Sequence, residues 1–148
     1  IKDLFKTSNG KYIAPQQIET ILGGDVFIEQ VAVIGNNRNY VTAIIAPNIE
    51  AIKGYAEQNG IKYEYVDELM DNPQICKMME ERIAELQKDM APYEKIKKFR
   101  MIKRGFTIES GELTSTLKLR RAVILQNYAA MIEEMYNPVK GPLGGYAK

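Results

Sequence analysis

The sequence has no histidine. That absence removes Ser-His and Cys-His nucleophilic mechanisms, imidazole general bases and His-bearing zinc sites, and no metal-binding motif stands among the residues that remain. The single cysteine, Cys76, has no partner for an intrachain disulfide, which suits a reducing compartment. No run approaches the roughly 20 apolar residues needed to span a bilayer. No secretory signal opens the chain either, so the cytoplasm is the expected compartment. An excess of charge of one sign is also lacking. Lys and Arg total 20 against 19 Asp and Glu, and that balance calls for neither nucleic acid nor an anionic membrane as partner. Any basic site must be local.

What is present is a chain of 148 residues, 45% hydrophobic and 26% charged, the balance of one soluble domain with a real core. It opens on Ile1 inside an apparent strand, without an initiator Met, and reads as a fragment of a longer protein. Asp3 to Thr7 and Lys11 to Ile13 read as extended runs around Ser8-Asn9-Gly10, a tight-turn sequence. Pro15 suits the first position of a helix reaching about Leu22, stopped by Gly23-Gly24, although Ala14 is a poor N-cap. Val26 to Ile34 and Tyr40 to Ala46 are β-branched and apolar, and the turn-rich Asn36 to Asn39 between them predicts an antiparallel hairpin.

A helix is expected from Ile49 to Gln58, and another from Asn72-Pro73 carrying Ile75, Cys76, Met79, Ile83, Leu86 and Met90 on one face. Cys76 on that face reads as a buried core thiol. Ile96 to Lys103 reads as a strand, and a last helix places Ile124, Tyr128, Met131, Ile132 and Met135 on one side. These elements predict an α+β domain over residues 1–136, a small, largely antiparallel sheet with flanking helices plus a short N-terminal β-hairpin. Residues 137–148, with three glycines and two prolines, read as a loose tail.

The segment of most chemical interest is Gly111-Glu112-Leu113-Thr114-Ser115-Thr116-Leu117-Lys118-Leu119-Arg120-Arg121. A lysine on a loop carries a compact charge with three donors on a flexible stem, suited to a phosphate or to a carboxylate held against one. The pattern by itself favours a solvated lysine near a helix start.

This segment resembles the C-terminal lysine motif of the adenylate-forming superfamily. The common form has Ser-Gly before the lysine, whereas Thr116-Leu117 stand here. Gly-Glu-Leu-Thr ahead of them is similar to the long-chain fatty acyl-CoA synthetase branch. The opening run, from Ile1 through Ser8-Asn9-Gly10-Lys11-Tyr12 to Pro15 and Ile18-Glu19, independently resembles the segment following the family's interdomain hinge.

The resemblance implies a mobile C-terminal lid domain whose larger N-terminal partner domain holds the acyl pocket, most of the ATP site and the Mg²⁺ site. It implies ATP-dependent activation of a fatty acid to an acyl adenylate, then thioester formation with CoA. Lys118 maps onto the adenylation lysine and Lys2 onto the hinge. The hairpin with Ser8, Gly10, Lys11 and Tyr12 maps onto the pantetheine tunnel. No cofactor is expected to bind this chain tightly, and the parent is a candidate for peripheral membrane association.

The densest positive stretch runs through Lys95, Lys97, Lys98, Arg100, Lys103 and Arg104. Lys97, Lys98 and Arg100 are candidates for CoA phosphate contacts, or else ordinary solvated strand charges beside Ile96, Phe99 and Ile102. Two other readings remain, a non-enzymatic binding module using this basic strand and the lid of a carrier-protein-loading enzyme.

Overall fold

A strand that is apolar along its whole length needs cover on both faces, and Val41-Thr42-Ala43-Ile44-Ile45-Ala46-Pro47 is such a run. The computed structural model describes residues 4–137. In it this run is β4 (Val41–Pro47), the centre of a three-stranded sheet between β3 (Ile28–Ile34) and β5 (Ile96–Met101). Every β4 residue is buried. Alternate side chains enter opposite faces. Val31, Val33, Val41, Ala43 and Ile45 join one core, and Ala32, Ile34, Ile44 and Ala46 join the other.

Helices close both faces. The first core receives Ile18 and Leu22 from α1 (Pro15–Gly23), Ile52 from α2 (Ile49–Gln58), Leu69 from α3 (Asp67–Met70), and Ile75, Met79 and Ile83 from α4 (Pro73–Leu86). The second receives Ile124 from α5 (Arg121–Asn127) and Ile132 and Met135 from α6 (Ala129–Tyr136). Cys76 is 7% exposed on the first core, a packed thiol as its helical face implied. Among the described residues no helix is long and apolar enough to cross a membrane.

The fold is α+β with the expected N-terminal hairpin, β1 (Phe5–Lys6) paired antiparallel with β2 (Tyr12–Ile13). β3 and β4 are antiparallel as read, but β4 and β5 are parallel. Parallel neighbours require a crossover, which α2, α3 and α4 supply. A register shift between Val41 and Thr42 leaves Lys97 unpaired, since Val41 faces Ile96 and Thr42 faces Lys98. This bulge puts Ile96 and Phe99, three residues apart, in the same core. Ile102 lies in the other.

Several boundaries differ from the sequence reading. Val26 is 61% exposed and precedes the sheet, because the Asp25 carboxylate accepts the Phe27 N–H at 2.9 Å in a local turn. α4 stops at Leu86, and Met90 packs against the first core from a loop. The last helix is two, broken at Tyr128 (φ −117, ψ 27). Lys2 and residues 138–148 of the tail lie outside the described residues.

Candidate active site

Lys118 stands on a second small hairpin, closed at its base by the bridge between Leu113 and Leu119. The Thr114 N–H donates to Lys118 O at 2.8 Å, and the Leu117 N–H to Thr114 O at 2.8 Å. The Lys118 N–H donates to Thr114 Oγ1 at 3.0 Å. These bonds make a three-residue loop whose last residue is left-handed, and Leu117 has φ 67.

The N-terminal hairpin is built the same way. The Thr7 N–H donates to Lys11 O at 2.9 Å and the Gly10 N–H to Thr7 O at 2.9 Å. The Lys11 N–H donates to Thr7 Oγ1 at 3.1 Å, and Gly10 has φ 85. Thr7-Ser8-Asn9-Gly10-Lys11 and Thr114-Ser115-Thr116-Leu117-Lys118 are therefore one turn used twice, each presenting a lysine just after the left-handed residue. The shared Thr-Ser-x-x-Lys spacing is legible in the sequence, but its short length hides it from a search for repeats.

The Lys118 hairpin is held at entry by Glu112, a fully buried carboxylate. Arg104 donates to Glu112 Oε1 at 3.1 Å and Oε2 at 3.0 Å, the Ser110 hydroxyl to Oε1 at 2.8 Å and Asn127 Nδ2 to Oε2 at 2.9 Å. Burial alone would raise the Glu112 carboxyl, but the hydrogen bonds from Arg104, Asn127 and Ser110 outweigh it and hold the group below its usual value.

At exit Arg121 donates to Glu19 Oε2 at 2.7 Å and to Val33 O at 2.8 Å. Glu19 in turn accepts the Val33 N–H at 2.8 Å. The pair occupies both backbone groups of Val33 on an edge strand, which would otherwise offer them to another chain. Neither anchor was readable from local sequence, since Glu112 and Arg121 look like ordinary charges in a polar segment.

Between these anchors the Lys118 side chain is exposed, with no ion pair or hydrogen bond among the described residues. It lines an open groove of about 450 Å³ with Gln16, Glu19, Glu29 and Leu117. The Gly10 hairpin instead docks on the β3–β4 turn, where the Ser8 N–H donates to Arg38 O at 2.9 Å and the Asn37 N–H to Lys6 O at 2.8 Å. Lys11 lies 5.1 Å from the Tyr93 ring centroid, and Tyr12 is 64% exposed. The Lys118 hairpin therefore shares a groove with Glu29, Gln30 and Val31 of the β3 region, and the Gly10 hairpin sits on the β3–β4 turn.

Of the basic strand residues, Lys97 is exposed and donates to Pro92 O at 3.1 Å. Lys98 is buried, its ammonium 5.4 Å from the Tyr40 ring. Arg100 pairs with Glu134 at 2.7 Å, Lys103 with Asp67 at 2.7 Å and Arg104 with Glu112. The stretch is mostly engaged within the domain. Among the described residues no group of three or more His, Cys, Asp or Glu converges to hold a metal ion.

Two hairpins of one turn type, each presenting a lysine just after a left-handed residue, thus stand on one α+β domain. The family model of the AMP-binding enzyme C-terminal domain matches residues 2–140, and the chain belongs to that family.

Among curated relatives, long chain acyl-CoA synthetase 4 of Arabidopsis thaliana is 35% identical over 145 residues, covering 93% of this chain and 21% of its own. The peroxisomal long chain acyl-CoA synthetase 7 of the same plant is 30% identical over 151 residues, covering 96% and 22%. Long-chain-fatty-acid–CoA ligase 1 of Homo sapiens is 30% identical over 142 residues, covering 94% and 20%. The chain thus spans about a fifth of the length of these relatives. Among solved structures, the A-PCP didomain of the Segniliparus rugosus carboxylic acid reductase, in complex with AMP, shares the fold with a TM-score of 0.73 at 23% identity, covering 92% of this chain and 17% of that one.

Proposed function

We propose that this chain is the mobile C-terminal lid of a long-chain fatty acid–CoA ligase, serving the reaction's two steps with its two hairpins in turn. The observation that carries the reading is the pair of like-built hairpins, with Lys118 unpartnered among the described residues on one and a left-handed Gly10 on the other. The two hairpins face different parts of the domain, so the two lysines do not meet one reacting centre at once. A rotation of the domain as a body brings each there in succession.

In the adenylating orientation the Lys118 ammonium meets the negative charge shared by the fatty acid carboxylate and the α-phosphate of ATP, a donor already fixed when charge develops. In the thioester-forming orientation the Ser8–Tyr12 hairpin borders the thin arm of CoA. Lys97, exposed and held only by Pro92 O, is the strand cation best placed to meet a CoA phosphate, whereas Lys98 and Arg100 reach one only by leaving Tyr40 and Glu134. Lys2 serves as the hinge. The partners are the larger domain of the same enzyme, fatty acid, ATP and CoA, the compartment is the cytoplasm, and the chain alone is inactive. The engaged state of Lys98, Arg100, Lys103 and Arg104 argues against a binding module built on the basic strand.

Cys76 is buried, so in a full-length ligase whose cysteines outside this chain are replaced, cysteines introduced at Ser115 and Asn9 report each hairpin through their rate of alkylation. Ser115→Cys is expected to be shielded with ATP and fatty acid, and Asn9→Cys with CoA and a non-hydrolysable acyl adenylate. Shielding of both together, or of neither, would overturn the reading.

A further inference from the structure

Leu117 occupies the position of its turn that favours glycine. Its φ of 67 is an outlier for a bulky side chain, and its side chain is 67% exposed. Neither fact helps the isolated domain, because the backbone is strained and the apolar side chain remains in water. The turn does not require a leucine. The same chain builds the same hydrogen-bonded loop at Thr7–Lys11 with glycine in the corresponding place, Gly10 at φ 85.

Burial does not explain the residue either, because Leu113 at the base of the hairpin is 8% exposed and already supplies its contact with the second core. Observed strain at an exposed residue beside a reactive group points toward a role outside the free fold. Leu117 is bonded to Lys118 and lines the same groove, so whatever surface receives the lysine receives the leucine.

We infer that Leu117 is a positioning residue for adenylation, an apolar knob that seats against an apolar surface of the ligase's larger domain and thereby fixes the Lys118 ammonium at the reacting phosphate. This rests on the lid reading above. The turn holds the leucine out in advance, so the contact costs little ordering when the lid closes. In the thioester-forming orientation the hairpin leaves the site and the knob has no part.

The inference is tested with Leu117→Gly and Leu117→Asn, two residues that accept positive φ, and with Leu117→Met, which keeps an apolar side chain. The 148-residue chain carrying Leu117→Gly is expected to melt about 2–4 °C higher, from release of backbone strain. In the full-length ligase Leu117→Gly and Leu117→Asn are both expected to slow acyl-adenylate formation about 10-fold, the loss of one apolar anchor, while Leu117→Met stays within about 3-fold of the parent. Conversion of supplied acyl adenylate by CoA is expected to be unchanged in all three. Asn separates the lost apolar contact from the added flexibility of glycine.

Normal adenylation by Leu117→Asn, a lower melting temperature for Leu117→Gly, or an equal loss in both half-reactions would overturn the inference. Lys118→Ala is measured alongside. If it is slow while Leu117→Asn is not, only the knob falls, and if it adenylates normally the lid reading itself falls.

Discussion

Glu112 is the strongest structural commitment around the lysine hairpin, and replacing it with glutamine removes one negative charge while keeping the shape. The carboxylate is fully buried, whereas Arg104 opposite is 49% exposed. Breaking a fully buried pair costs about 3–5 kcal/mol, but Arg104 regains water when its partner is neutral, so this loss is smaller. The new amide N–H also faces Arg104 or Asn127, both donors, and one hydrogen bond worth about 1 kcal/mol goes unmade. Together these give a destabilisation of about 2 kcal/mol at neutral pH, or a fall in melting temperature of roughly 6 °C.

The pH dependence has a definite sign. Glu112 holds its proton less tightly in the fold than in the unfolded chain, whose ordinary value is 4.5. Its contribution is therefore full above that pH and lost as pH falls through the lowered folded value. Urea denaturation of the parent chain and Glu112→Gln at pH 7 and pH 3 measures this. The gap should be wide at pH 7 and narrow at pH 3, while the acid sensitivity of Asp25, lowered by its hydrogen bonds from Arg82 and Phe27 against the raising effect of burial, cancels between the two proteins. A gap below about 0.5 kcal/mol at pH 7, smaller than one typical hydrogen bond, or one equally wide at both pH values, would refute the reasoning.

A Cβ at Gly10 would meet nothing within 4 Å, so Gly10→Val costs the domain only its left-handed backbone, about 1–2 kcal/mol. In the full-length ligase it is expected to slow thioester formation more than adenylation, measured by timing the half-reactions separately. The purified 148-residue chain should fold cooperatively yet show neither ATP–pyrophosphate exchange nor acyl-CoA formation, as the proposed lid role requires. Cys76 should resist alkylation in native buffer and react at the rate of a free thiol in denaturant, reporting global unfolding of the first core.

Much of the scaffold was legible because its signals are local. Pro15 and Gly24 bracket α1 where the sequence put them, and Asn36 to Asn39 turns β3 into β4. The continuous apolar run of Val41 to Ala46 could be read as a core strand but not as parallel to β5, since pairing direction depends on the crossover and not on the strand. The bulge at Lys97 changed the face of every later residue in β5, so a strict period of two misplaces Phe99 relative to Ile96. The break at Tyr128 leaves no mark in the apolar spacing of the last helix, which continues across it.

Around the site, the resemblance led to Lys118 and Gly10. The anchors Glu112 and Arg121 escaped because their partners lie far along the chain, at Arg104 and Asn127 for one and at Glu19 and Val33 for the other. Leu117 looked like a departure from a motif until its φ gave it a physical meaning.

In the proposed cycle Lys118 acts in one orientation of the lid only. Lys118→Ala in the full-length ligase removes a fixed cation from developing charge, a loss typically of ~10²–10³ in rate, and leaves the hairpin's backbone bonds to Thr114 in place. Timing the half-reactions separately, we expect adenylation to fall by about that factor, while CoA converts supplied acyl adenylate at close to the parent rate. Normal adenylation by a folded Lys118→Ala enzyme, or equal loss in both steps, would contradict the account.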